Sequence, residues 1–110
     1  MLENSFRSVY KEETAKEYAL TAREKLLIAK IAINDQSYAM AIYMITESIV
    51  RLKVIDGNGI GINSDALSPL LHYLQKNLKI LEGIYITRRN YLPKDIKYMI
   101  ETIDAILHII

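Results

Sequence analysis

The first 56 residues of this chain contain neither glycine nor proline. A stretch that long without a breaker, with apolar residues at steps of three and four, buries its apolar side most readily as helix. Ala15, Ala19, Ala22, Leu26, Ala29 and Ile33 form one such stripe. They predict a helix from about Ser8 to Ile33. Its alanines leave room for a neighbouring helix to approach closely. Glu12 and Lys16 stand one turn apart, at the favourable spacing for an ion pair on the other side. Asn34 and Asp35 interrupt the pattern, and Asp35 is the expected N-cap of a second helix over Gln36 to Ile55. Tyr38, Ala41, Ile45, Ser48, Leu52 and Ile55 form its main stripe. Ile42 and Ile49 widen it, so this helix is expected to be buried on more than one side. The short connection makes the two helices an antiparallel hairpin.

Beyond Ile55 the chain is punctuated. Gly57, Gly59 and Gly61 mark a loop between Asp56 and Asn63. The third helix has two candidate starts, Ser64 and Ser68, and Ser68 followed by Pro69 carries the better capping signature. Leu70, Leu71, Leu74 and Leu78 are its apolar positions. The segment from Leu78 to Arg89, with Leu81, Ile84 and Tyr85 on one side, either continues it or follows a break near Asn77. Tyr91-Leu92-Pro93 reads as a turn. A last helix starts near Lys94, with Ile96, Met99, Ile100, Ile103, Leu107 and Ile110 at helical steps. The expectation is an all-α fold: one domain over residues 1–110, an antiparallel four- to five-helix bundle built on a long N-terminal hairpin. No internal repeat of solenoid period is visible.

Composition narrows the function classes. The formal net charge of +1 does not make the whole chain an electrostatic binder of nucleic acid. There is no cysteine, which removes disulfide and thiolate chemistry. No apolar run approaches the roughly 20 residues that span a bilayer, and the charged start has no apolar signal core. A cytoplasmic location without membrane association is the expectation. Abundant Ile, Tyr, Lys and Glu suit a thermophilic source.

No catalytic or metal-binding constellation is complete. His72 and His108 lie on different helices, and neither has a second ligand at metal-binding spacing. Ser68 precedes His72 by one turn but is better explained as a cap than as a nucleophile. The glycine cluster follows a helix and lacks lysine, unlike a phosphate loop. No metal or cofactor is implied.

Two features carry more information. Glu47 and Arg51 lie one turn apart inside the most apolar helix. They read either as an intrahelical ion pair or as a polar notch facing a ligand. Between Lys76 and Lys97 stand Lys76, Lys79, Arg88, Arg89, Lys94 and Lys97 against only Glu82 and Asp95, with Tyr85 and Tyr91 interleaved. Basic residues among aromatics can hold phosphate and stack bases. The plainer reading is a solvated helix end, where Arg88 and Arg89 complement the helix dipole.

The hairpin segments Ala15-Lys-Glu-Tyr-Ala-Leu-Thr-Ala-Arg-Glu-Lys-Leu26, Asp35-Gln-Ser-Tyr-Ala-Met-Ala41 and Glu47-Ser-Ile-Val-Arg-Leu-Lys53 resemble the HEPN superfamily of nucleotide-binding helical domains, including an archaeal branch. Members have a long alanine-rich first helix, a short turn with an aromatic, and a second helix with Glu followed four residues later by a base. Glu47 and Arg51 match that pair. Tyr85, Arg88 or Arg89, Tyr91 and Pro93 are similar to the turn before the family's last helix. Nuclease members carry Arg followed after four to six residues by His. No arginine here has a histidine at that distance.

The resemblance therefore implies a binding or interaction module without the family's nuclease chemistry. It would be a homodimer, or the partner of a nucleotidyltransferase-type protein, and could take RNA or a nucleotide. Its candidate ligand- or phosphate-binding residues are Glu47, Arg51, Tyr85, Arg88, Arg89, Tyr91 and Lys94. The alternatives are an enzyme processing RNA or nucleotides with a degenerate site, and a structural helical adaptor.

Overall fold

A computed structural model describes residues 2–58, 64–89 and 93–110, with side chains from residues 16–56, 65–89 and 93–110. Four helices account for nearly all of it: α1 (Leu2–Asn34), α2 (Tyr38–Asn58), α3 (Ser64–Thr87) and α4 (Pro93–Ile109). There is no strand among the described residues. Each helix packs against two others, α1 on α2 and α4, and α3 on α2 and α4, so the four close a ring around one core.

The core is the set of stripes that the spacing marks. Ala22, Leu26, Ala29 and Ile33 of α1 are fully buried, as are Ala41, Ile45, Ser48 and Leu52 of α2. Leu74, Leu81 and Ile84 of α3 and Met99 and Ile103 of α4 complete the centre. Each large side chain removed from water in this way contributes about 1.5–3 kcal/mol. Leu67 and Ile106, outside the expected stripes, are fully buried too. The isoleucines of α2 and α4 lie inside the bundle. Ile45, Ile49, Ile55, Ile103 and Ile106 are buried, and Ile42, Ile96 and Ile100 pack against them.

Several boundaries differ from expectation. Asp35 does not cap α2. α1 ends in a Schellman turn, in which the Ser37 amide donates to the Ala32 carbonyl (2.8 Å) and the Gln36 amide to the Ile33 carbonyl (3.1 Å). Gln36 takes the left-handed conformation that closes this turn, with φ 58°. Asp35 is thus the last residue of α1's cap. Ser37, whose carbonyl accepts from the Ala41 amide (2.9 Å), opens α2. The third helix starts at Ser64, and Pro69 lies inside it. Ser68 is not a cap, because its hydroxyl faces the Asp56 carboxylate at 3.0 and 2.9 Å and ties the end of α2 to the start of α3. α3 runs through Asn77 without a break to Thr87.

Other ties join the ring at its seams. Arg23 donates from Nη1 to the Leu107 carbonyl (3.1 Å), and Lys30 pairs with Asp104, both between α1 and α4. Tyr38 at the start of α2 donates its hydroxyl to the Arg89 carbonyl just past α3. No described helix is long and apolar enough to cross a membrane.

Candidate functional site

Where the start of α2 meets the end of α3, the surface opens into a cleft of about 530 Å³ lined by Gln36, Tyr38, Tyr85, Ile86 and Arg88. A shallower groove of about 320 Å³ continues from it along Ala39, Ile42, Glu82, Tyr85 and Ile86. Tyr85 and Ile86 belong to both, so the two form one continuous depression between α2 and α3.

Local backbone geometry builds this site. Gln36 and Arg88 have φ of 58° and 54°, the only positive values among the described non-glycine residues. Each sits just past a helix, α1 or α3, where a left-handed residue reverses the chain. Glycine takes that conformation without strain, and a residue with Cβ does not. Both strained positions carry a side chain that lines the cleft. Glycine there would supply the turn but neither the amide nor the guanidinium. Strained residues gathered at one place are a recognised mark of function.

The chemistry of the lining is mixed. Tyr85 is 53% and Ile86 77% exposed, a large aromatic and, among the described residues, the most exposed of the large apolar side chains. Arg88 supplies a permanent positive charge with forked donors. Tyr38 is held by its bond to the Arg89 carbonyl (3.2 Å), which fixes one wall. Glu82 in the groove is an acceptor about two turns before Arg88. An aromatic face, a guanidinium and an amide around one hollow suit a flat ring carrying an anionic group.

The expected site residues divide. Tyr85 and Arg88 line the cleft. Arg89 adjoins it through its carbonyl, with an exposed side chain. Lys94 is exposed in the first turn of α4 and does not line the cleft. Tyr91 lies outside the described residues, as do the side chains of Glu12 and Ser64. Glu47 and Arg51 do not reach the cleft. They sit roughly 140° and 180° around α2 from Ile42, which lines the groove. Arg51 Nη1 donates to Glu47 Oε2 (2.8 Å) and to the Glu47 carbonyl (2.9 Å), so the intrahelical ion pair is realised.

The basic stretch is likewise dispersed. Lys76 lies 5.8 Å from the Tyr73 ring, and Lys97 is 4.0 Å from Glu101. His72 packs beside Tyr73 with ring centroids 6.0 Å apart, while Ser68 faces Asp56. Among the described residues no three His, Cys, Asp or Glu side chains are grouped as a metal site. Gln36, Ile42, Glu82 and Ile86 are cleft residues that sequence reasoning did not single out. Gln36 had no signal in the sequence, since its type does not announce a left-handed turn. Tyr98 lies on α4, away from the cleft. Burial, and then the neighbouring Tyr73, raise its phenol above the ordinary 10.0. In comparisons with known proteins, the chain matches no protein-family model, no curated protein and no solved structure.

Proposed function

We propose that this chain is a non-catalytic, HEPN-like binding module that takes a nucleotide or a single-stranded RNA segment in the cleft between α2 and α3. The observation that carries this reading is the convergence of Tyr38, Tyr85, Gln36 and Arg88 on one hollow. The base would stack on tyrosine, worth about 1–3 kcal/mol per base in comparable sites. Arg88 would hold a phosphate by forked hydrogen bonds. Glu82 would accept from a base amino group or a ribose hydroxyl. The four helices would run antiparallel in sequence. In support, Tyr38 meets Arg89 while Asp56 meets Ser68, and Arg23 meets Leu107 while Lys30 meets Asp104. The module would work as a homodimer.

The test is binding of a fluorescent uridine-rich oligoribonucleotide, and separately of a nucleoside monophosphate, at low and moderate salt. Salt-sensitive binding that falls at least tenfold in Arg88→Ala and is unchanged in Lys94→Ala is the expected result. Absence of binding to either ligand at low salt would sink the ligand assignment. Cleavage of the oligonucleotide by the purified protein would overturn the non-catalytic part.

A further inference from the structure

Among the described residues, the exposed large apolar side chains outside the cleft lie on the hairpin, Tyr73 of α3 excepted. On α2, Met40, Tyr43, Val50 and Val54 are all more than a third exposed. Together with Glu47 they recur at steps of three, four, three and four, the spacing of a helix–helix seam. Core positions Ala41, Ile45 and Leu52 lie on the opposite side of the same helix. On α1, Lys25 lies beside the stripe with its ammonium 6.0 Å from the Tyr43 ring, and Ile28, about one turn on, is exposed as well. No large apolar side chain of α4 is exposed to this degree. The exposed parts of these five residues amount to on the order of 450 Å², against about 800 Å² per partner in a standard interface. A charged rim would supply the remainder.

The middle of the seam says what covers it. Glu47 stands there, paired with Arg51 one turn on, the two side chains 33% and 23% exposed. Among the described residues only Nη1 of Arg51 is engaged, and a guanidinium has five donors. An acid and a base one turn apart on a helix complement themselves under a two-fold rotation. With the axis between them, Glu47 of each copy meets Arg51 of the other. The same antiparallel register brings Tyr43 within one residue of Val54. A foreign protein would have to supply acid and base in matching order, whereas a second copy has them by symmetry.

We propose that the outer stripe of α2 is a homodimer seam, on which α2 of a second copy docks antiparallel about a two-fold axis near Glu47 and Arg51. This deepens the reading of the chain as a self-associating module and is independent of the ligand in the cleft. Sedimentation equilibrium of the full chain tests it. The wild type is expected to be a dimer, and Val50→Asp/Val54→Asp is expected to weaken self-association at least tenfold with unchanged helical circular dichroism. Glu47→Arg and Arg51→Glu are each expected to weaken it as well, because each places like charges at the axis. Mixing those two single variants is expected to restore a dimer containing one of each. A dimer that persists unweakened in all three variants overturns this seam but leaves self-association standing. A wild type that is monomeric up to its solubility limit overturns both.

Discussion

The hydroxyl of Tyr38 donates to the main-chain carbonyl of Arg89, 51 residues away in sequence, at 3.2 Å. The bond holds the first turn of α2 against the exit of α3, and the cleft lies beside it. Tyr38→Phe keeps the ring and removes this bond. Because the bond is exposed, the expected loss of stability is small, about 0.5–1 kcal/mol in urea unfolding. The larger expected effect is on the cleft, as weaker ligand binding with little change in fold.

Arg88 sits in the left-handed region with φ 54° and lines the cleft. Arg88→Gly relieves the Cβ strain and is expected to stabilise the chain by about 1 kcal/mol. It also removes the guanidinium, so ligand binding should fall together with the rise in Tm. Gln36→Gly, at φ 58°, is expected to be stabilising in the same way. If both variants are less stable than the wild type in thermal unfolding, strain is not what these residues store.

Asn77 is fully buried, and neither its Nδ2 nor its Oδ1 has a hydrogen-bond partner. With Tyr38 level with Arg89 and Asp56 level with Ser68, it stands at about the height of the buried Ser48. Ser48 bonds its own helix, Oγ to the Met44 carbonyl at 2.7 Å, and offers no relief. A desolvated amide costs about 1–3 kcal/mol, and leucine has the same branched side-chain outline with bulkier methyl groups in place of the amide atoms. Asn77→Leu should therefore raise stability by about that amount, read from the urea midpoint at constant slope. A destabilised variant would mean that the amide is satisfied in solution.

Tyr98 packs edge-on against Tyr73, with ring centroids 6.3 Å apart. Burial first, and Tyr73 second, raise its phenol above 10.0. The folded state therefore holds this proton more tightly than the unfolded chain does. Its stabilising contribution is complete below pH 10.0 and is lost as pH rises through the folded value. Ultraviolet titration of tyrosinate should show Tyr98 ionising above the ordinary phenol value, a signal identified by its absence in Tyr98→Phe. Tyr73→Phe should move it partway back toward the ordinary value.

The sequence by itself determined that the chain is helical and which residues form most of the dry side of each helix, though not where the helices begin and end. Ala22, Leu26, Ala29 and Ile33 show why. A 3.6-residue period leaves one face for the core, and apolar residues occupy that face. It also contained the Glu47–Arg51 pair, because two side chains one turn apart meet whatever surrounds the helix. Tertiary structure decided the rest. Ser68 reads locally as a cap, yet the Asp56 carboxylate, twelve residues earlier in the chain, takes its hydroxyl. Tyr85 reads as core beside Ile84, yet it stands at the edge of α3, where α2 leaves a hollow. Gln36 and Arg88 converge because two helix ends meet, and which ends meet depends on contacts between residues far apart in the chain. Periodicity is local and survives in the sequence. A cleft depends on the spacing between elements, and only the packed bundle sets that.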